Sequence, residues 1–412
     1  MINENLSIPA LRINRFFPFV FIYFFLNTIG LPLGLTWMAL LGPFFYIWVV
    51  MERKTEIFLP FITVLLPFII VHIAVVGVDL TAYAVSLLNI TLVYFFCQAA
   101  YTFLKRCSDM ERIFRKLLVI NFICCLIGIV FYFTPWDYLF WIEQGFTKGV
   151  NDFRRFKLFT YEASYYATVF IPVFFFYLLQ YVLCQNRIKN HWLLLMLFLP
   201  FVLSFSIGVI AAAILSGILA TIIYGRQLLV KRRIENMAIN LVVLIASSAV
   251  VLVLYFRHNP IFTRILNIFS GDDTSAKGRM GDSFMLAMKM LEEKNQWFGI
   301  GPGQVKLVGH DLIHGHYLYT TDFVAAIPNA MAETLAVFGW FGFSLKLLIE
   351  ITLFFTTKVW SNYYRLLLFF FMFIYQFTGS FITNLAEYVI WIFAFTPVFR
   401  QFDVKHLSGR RN

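Results

Sequence analysis

Long apolar runs, each closed by a short polar or basic patch, succeed one another from Phe16 to Phe395. Such runs begin near Phe16, Leu35, Ile57, Leu80, Lys116, Ala163, Trp192, Gly208, Ala238, Asn329, Leu366 and Thr383. Crossing a bilayer takes roughly 20 apolar residues per helix, so the pattern predicts about twelve transmembrane helices. The stretch from Trp192 to Tyr224 is divided at Ser204-Phe205-Ser206-Ile207-Gly208, which reads either as a turn between two spans or as a break inside the membrane. No internal repeat or low-complexity segment is visible.

Two polar stretches interrupt this pattern, residues 136–161 and 257–327. The second is long enough for helices of its own; Phe284, Leu286, Ala287, Met290 and Leu291 share one face at helical spacing. The predicted organisation is an all-α polytopic membrane protein. Helices 1–5 occupy residues 1–135 and the first loop 136–161. Helices 6–9 occupy 162–256, the large loop 257–327, and helices 10–12 with a basic tail 328–412.

Basic residues orient the bundle. With both termini in the cytoplasm, the inner connections hold 21 of the 33 Lys and Arg, as the positive-inside rule requires. Lys346 lies within a span, and the remaining 11 are confined to the two long outer loops. Long loops translocate regardless of charge. Arginines kept there also suit an anionic substrate, because the guanidinium is a permanently charged fork that matches phosphate oxygens.

Composition narrows the class further. The 412 residues are 60% hydrophobic and 13% charged, about half the charge of a typical soluble domain, at about 25%. The net charge of +11 is spread over short patches rather than one solvated face, which argues against nucleic acid as a partner. Cys97, Cys107, Cys124, Cys125 and Cys184 form no CxxC pair and lie outside the long loops, so no disulfide framework or metal site is expected. Residues 1–15 carry Glu4 and no small-residue cleavage site, unlike a cleaved signal peptide.

Candidate chemistry concentrates in the loops. The first ends in Arg154, Arg155 and Lys157, followed by Glu162 at the mouth of the next helix. Glu162 reads either as a first-turn carboxylate or as a general base. The second carries Arg279 ahead of the amphipathic stretch, then Trp297-Phe298-Gly299-Ile300-Gly301-Pro302-Gly303. That glycine run lacks the Lys-Ser/Thr of a P-loop and reads as a tight turn back toward the membrane. His310, His314 and His316 follow; without companion ligands, His314 and His316 are candidate bases or hydrogen-bonding groups for sugar hydroxyls. Within the spans only His72, Glu333, Lys346 and Glu350 are ionisable, with Glu387 near an outer end. Such groups are functional candidates, although Lys346 and Glu350, four apart, can simply pair.

From Arg154 onward these pieces, in order, resemble the O-antigen polymerase and O-antigen ligase superfamily. Arg155 and Glu162-Ala163-Ser164-Tyr165-Tyr166-Ala167 resemble its arginine and E-P-S-x-x-A segment, with Ala163 in place of proline. The Ser204–Gly208 stretch is similar to its break between two helices. Arg279 and the glycine run resemble the large periplasmic loop, and Pro328-Asn329 with Phe338-Gly339-Trp340-Phe341-Gly342 resemble the start of the following helix. The resemblance implies a GT-C-like glycosyltransferase of the bacterial inner membrane, acting at the periplasmic face without metal or cofactor. It implies polyprenyl-pyrophosphate-linked oligosaccharides as donor and acceptor, surrounding membrane lipid, and a flippase and a chain-length regulator as partners. It makes Arg155 and Arg279 pyrophosphate contacts, with Arg154 as helper.

In ligases of this superfamily a histidine stands before the asparagine; here it is Pro328. That favours a polysaccharide polymerase, of O-antigen, capsule or exopolysaccharide, over a ligase. A lipid-linked-oligosaccharide flippase, with short outer loops and charged helices, and a non-catalytic scaffold are the readings from other classes.

Overall fold

The computed structural model describes residues 13–29, 36–52, 59–146, 150–183, 191–229, 277–317 and 326–405. The run expected from Ala238 lies outside them. Each of the other eleven expected runs is an apolar helix. Before the first loop these are α1 (Ile13–Phe21, extended by a π turn to Leu26), α2 (Trp37–Glu52), α3 (Leu59–Val71), α4 (Leu80–Arg106) and α5 (Met110–Phe131). Between the loops come α6 (Ala163–Leu183), α7 (His191–Leu203) and α8 (Ile207–Leu229). The large loop contributes α9 (Ser283–Glu293) and α10 (Val305–Tyr317), and α11 (Ala330–Thr356), α12 (Tyr363–Tyr375) and α13 (Leu385–Phe395) follow. Among the described residues, α4, α5, α6, α8 and α11 are long and apolar enough to cross a membrane; the other six apolar helices are shorter.

Helix starts follow from side-chain caps, since the first N–H groups of a helix have no partner within it. Asp79 and Asp109 accept N–H bonds at the starts of α4 and α5. Asn329, Asn362 and Asn384 do so for α11, α12 and α13. Pro43, Pro67, Pro172 and Pro200 lie inside helices, which membrane helices tolerate where neighbours satisfy the freed backbone.

The first loop adds the only strands among the described residues, a departure from a purely helical chain. It folds as an antiparallel hairpin of β1 (Trp141–Phe146) and β2 (Val150–Phe156). Trp141 pairs with Phe156 and Glu143 with Arg154, so an aromatic pair and an ion pair share one face. Both aromatic rings are buried against the bundle.

Two apolar cores result. The larger joins α1, α2, α4–α8, α12, α13 and the hairpin through stacked phenylalanines. The smaller packs Leu286, Ala287, Met290 and Leu291 of α9 and Ile313 of α10 against Leu335, Ala336 and Val337 of α11. The amphipathic face expected for α9 is therefore its buried face.

A break in α11 couples these layers. Gly339 has φ +64° inside the helix, leaving backbone groups to be satisfied elsewhere. Ile300 and Gly301 N–H groups donate to the Ala336 and Val337 carbonyls, while Trp340 and Phe341 N–H groups donate to the Gln296 and Trp297 carbonyls. The glycine run is thus a turn, as expected, zipped backbone to backbone onto the broken helix. Gly299, at φ +82°, approaches Val337 so closely that a Cβ would overlap its carbonyl. Lower in α11, Lys346 does not pair with Glu350 as the spacing suggests. Its Nζ lies 3.0 Å from Glu387 Oε1 on α13, and Glu350 accepts a hydrogen bond from Gln376 instead.

Gly299→Ala combines strain at positive φ, worth about 1–3 kcal/mol, with a backbone clash. It is expected to lower the melting temperature of the detergent-solubilised protein sharply. Gly315→Ala in α10, where an added Cβ meets nothing within 4 Å, is expected to be neutral or stabilising by about 0.5–1 kcal/mol.

Candidate functional site

Two helix breaks and one turn bear on the candidate site. The α7–α8 break spans Ser204 to Ser206, with Phe205 at φ 43°. The α12–α13 break spans Gln376 to Asn384, with Ser380 at φ 71°. The third is the turn Gly278–Asp282, which leads directly into α9 and carries Arg279. Asn329 ties two of them together. Its Oδ1 caps α11 by accepting from Met331 and Ala332, while its Nδ2 donates to the Arg279 carbonyl at 2.7 Å and the Phe377 carbonyl at 2.6 Å. Ala330 and Met331 N–H groups donate to the Gly379 and Gln376 carbonyls. The start of α11 is thereby fixed against the break before α13, with the arginine turn held alongside.

The Arg279 side chain projects into a cavity of about 230 Å³ lined by Glu162, Ser164, Tyr165, Pro328, Tyr375 and Asn384, among others. Arg279 Nη2 lies 3.6 Å from Glu162 Oε1. That oxygen is buried, and among the described residues no hydrogen bond reaches it. An ion pair too long for a hydrogen bond, in a cavity, leaves both charges able to engage a polar ligand. Tyr161, at the end of the first loop, and Glu162, at the mouth of α6, face Arg279 of the second polar stretch across this cavity.

The basic residues of the first loop are placed differently. Successive residues of a strand point to opposite faces, so Arg154 and Arg155 diverge. Arg154 pairs with Asp137 and Glu143 and lies over the Tyr132 ring; the Glu143 hydrogen bond raises its pKa further. Arg155 is buried and donates from Nε to the Ser204 carbonyl at 3.1 Å, which satisfies a backbone group exposed by the α7–α8 break. Burial lowers the pKa of the Lys157 ammonium. None of the three lines the Arg279 cavity.

Of the candidate bases, only Glu162 lines that cavity. His316 Nε2 lies 3.4 Å from Asp282 Oδ2, joining the end of α10 to the arginine turn. His314 is exposed on α10, its ring 6.2 Å from that of His310. Sequence reasoning missed Tyr375, Ser380 and Asn384 of the cavity wall. Ser380 and Asn384 were signalled only by the polar residues that interrupt the apolar pattern between Gln376 and Asn384, and Tyr375, the last residue of α12, by nothing.

A second cavity of about 460 Å³ adjoins the first, sharing Tyr161, Tyr165, Phe381 and Asn384. Its wall includes Glu333, whose Oε2 accepts the Ile382 N–H at 2.8 Å.

These features define a helical membrane protein with paired polar cavities where a folded loop meets broken helices. Residues 192–347 match the family described as O-antigen ligase. The match runs from α7 into α11, takes in Arg279, the glycine run and Asn329, and is consistent with the resemblance to the O-antigen polymerase and ligase superfamily. The Arg154–Ala167 stretch lies outside it. No curated protein matches the chain.

Asn329→Asp keeps the helix cap but removes both amide donors, and leaving a buried carbonyl unpaired costs about 1–3 kcal/mol. The variant is expected to melt lower than wild type. A Gly281→Cys reporter is expected to react faster with maleimide when combined with Asn329→Asp than alone, as the arginine turn loosens.

Proposed function

We propose that this protein is a membrane glycosyltransferase that polymerises polyprenyl-pyrophosphate-linked repeat units at the outer face of the bacterial plasma membrane. The observation that carries the reading is that Arg279, Glu162 and Pro328 line one cavity, within the region that matches the O-antigen ligase family for Arg279 and Pro328.

The donor stores the energy of the reaction in its sugar–pyrophosphate bond. An acceptor hydroxyl oxygen bonds to the anomeric carbon, and the carbon–oxygen bond to pyrophosphate breaks with its electron pair passing to the phosphate oxygen. The hydroxyl proton goes to a base, and the configuration at carbon inverts. Negative charge grows on the leaving group, so a preorganised cation there lowers the barrier. Arg279 takes this role, with Glu162 as its counter-ion until pyrophosphate arrives. Arg155 supports the site by holding the α7–α8 break, and Arg154 holds the hairpin through Asp137 and Glu143. His316 supports the arginine turn through Asp282, and His314 lines neither cavity.

Polymerisation is favoured over transfer to a separate lipid acceptor by Pro328. A ligase has a histidine there, and a proline offers no side chain to accept a proton. A flippase is disfavoured because it would have short outer loops, whereas two long polar stretches, residues 136–161 and 257–327, interrupt the apolar runs of this chain.

The purified protein, given a lipid-pyrophosphate-linked repeat unit alone, is expected to form multimers. Transfer only to a different acceptor would make it a ligase. Arg279→Ala is expected to lose roughly 10²–10³-fold in elongation, as for removal of one charge-stabilising donor. Arg279→Lys keeps the charge but loses the fork, so intermediate activity is expected. Both variants should melt near the wild-type temperature, and normal elongation by Arg279→Ala would refute the assignment.

A further inference from the structure

Inversion places a constraint on where the base can be. The attacking oxygen approaches from the side of the sugar opposite the leaving group, so the group that takes its proton lies across the sugar from the pyrophosphate. Glu162 is on the wrong side for this, because it sits against Arg279, where the leaving group's charge collects. The neighbouring cavity is the right side.

That cavity, at about 460 Å³, falls within the ~300–1,000 Å³ range of small-molecule sites. Thr28, Thr36, Ser86, Asn89, Lys306 and Glu333 line it, so hydroxyl, amide and charged groups converge from separate segments in an otherwise apolar bundle. Polar groups gathered inside a bundle of apolar helices mark a water-filled or substrate cavity. Tyr161 and Tyr165, with ring centroids 5.3 Å apart, stand on the boundary with the Arg279 cavity. The aromatic edge and the hydroxyl and amide wall suit a sugar ring, which presents both C–H faces and hydroxyls.

Glu333 is built into this wall. It lies four residues beyond Asn329, on the first turn of α11, and the Ile382 N–H fixes one oxygen at 2.8 Å. Fixing one oxygen orients the other, as a general base requires.

We propose that the larger cavity seats the terminal sugar of the acceptor and that Glu333 takes the proton of its attacking hydroxyl. The inference rests on the glycosyl-transfer reading above. In the step, the acceptor O–H proton passes to the Glu333 carboxylate as the new carbon–oxygen bond forms, and the pyrophosphate leaves toward Arg279 with its electron pair.

The test uses the full-length protein and a radiolabelled polyprenyl-pyrophosphate-linked repeat unit, measuring donor binding, kcat and KM. Glu333→Gln is expected to bind donor like wild type while kcat falls by roughly 10²–10⁴-fold, the usual contribution of a positioned base. Glu333→Asp is expected to recover part of that loss. Turnover by Glu333→Gln close to wild type, alongside normal wild-type elongation, would overturn the Glu333 assignment and leave the polymerase reading intact. Equal loss of donor binding in the Gln and Asp variants would show a structural role and overturn it too. A wild-type protein that binds donor and makes no polymer would overturn both readings.

Discussion

A bilayer supplies no water to an interrupted helix, so each freed N–H and carbonyl must find a partner within the protein or cost several kcal/mol. The described part of this chain interrupts its apolar helices at three places and satisfies each break with a loop or helix-end group. Arg155 of the hairpin donates to Ser204 at the α7–α8 break. The 296–301 segment exchanges backbone hydrogen bonds with α11 across Gly339. Asn329 and the first N–H groups of α11 fill the break before α13.

The same economy positions the candidate chemistry. The Asn329 amide that satisfies Phe377 also holds the Arg279 carbonyl, so one residue fixes both the helix end and the arginine turn. Glu162 arrives from the other direction, carried by α6, whose residues are packed deep in the larger core. The result is a cation and a carboxylate 3.6 Å apart, presented by separate scaffolds. The proposed chemistry needs this arrangement: a preorganised cation for the leaving group and a neighbouring polar cavity for the sugar.

Much of this was legible in the chain. Apolar periodicity located the described membrane helices because lipid imposes one simple rule on them. The amphipathic face of α9 and the turn character of the glycine run followed from spacing and glycine chemistry. The hairpin was hidden because Trp141, Glu143, Arg154 and Phe156 acquire meaning only once the strands pair. For the same reason Arg154 and Arg155, adjacent in the chain, looked like a joint anion site although a strand turns them to opposite faces. Lys346 illustrates the limit of helical spacing: Glu350 lies one turn away, yet Glu387 on another helix is its partner. Tyr375, Ser380 and Asn384 could be placed only by tertiary structure, since a short polar break carries no signature of what it will face.

The central claim is that the Arg279 and Glu162 cavity holds the donor's pyrophosphate. Cryo-electron microscopy of the protein with a bound polyprenyl pyrophosphate tests it most directly. The account predicts diphosphate density within hydrogen-bonding distance of the Arg279 guanidinium, with the Glu162 ion pair opened to admit it. Diphosphate bound away from this cavity, with the Arg279 and Glu162 contact unchanged, would contradict it.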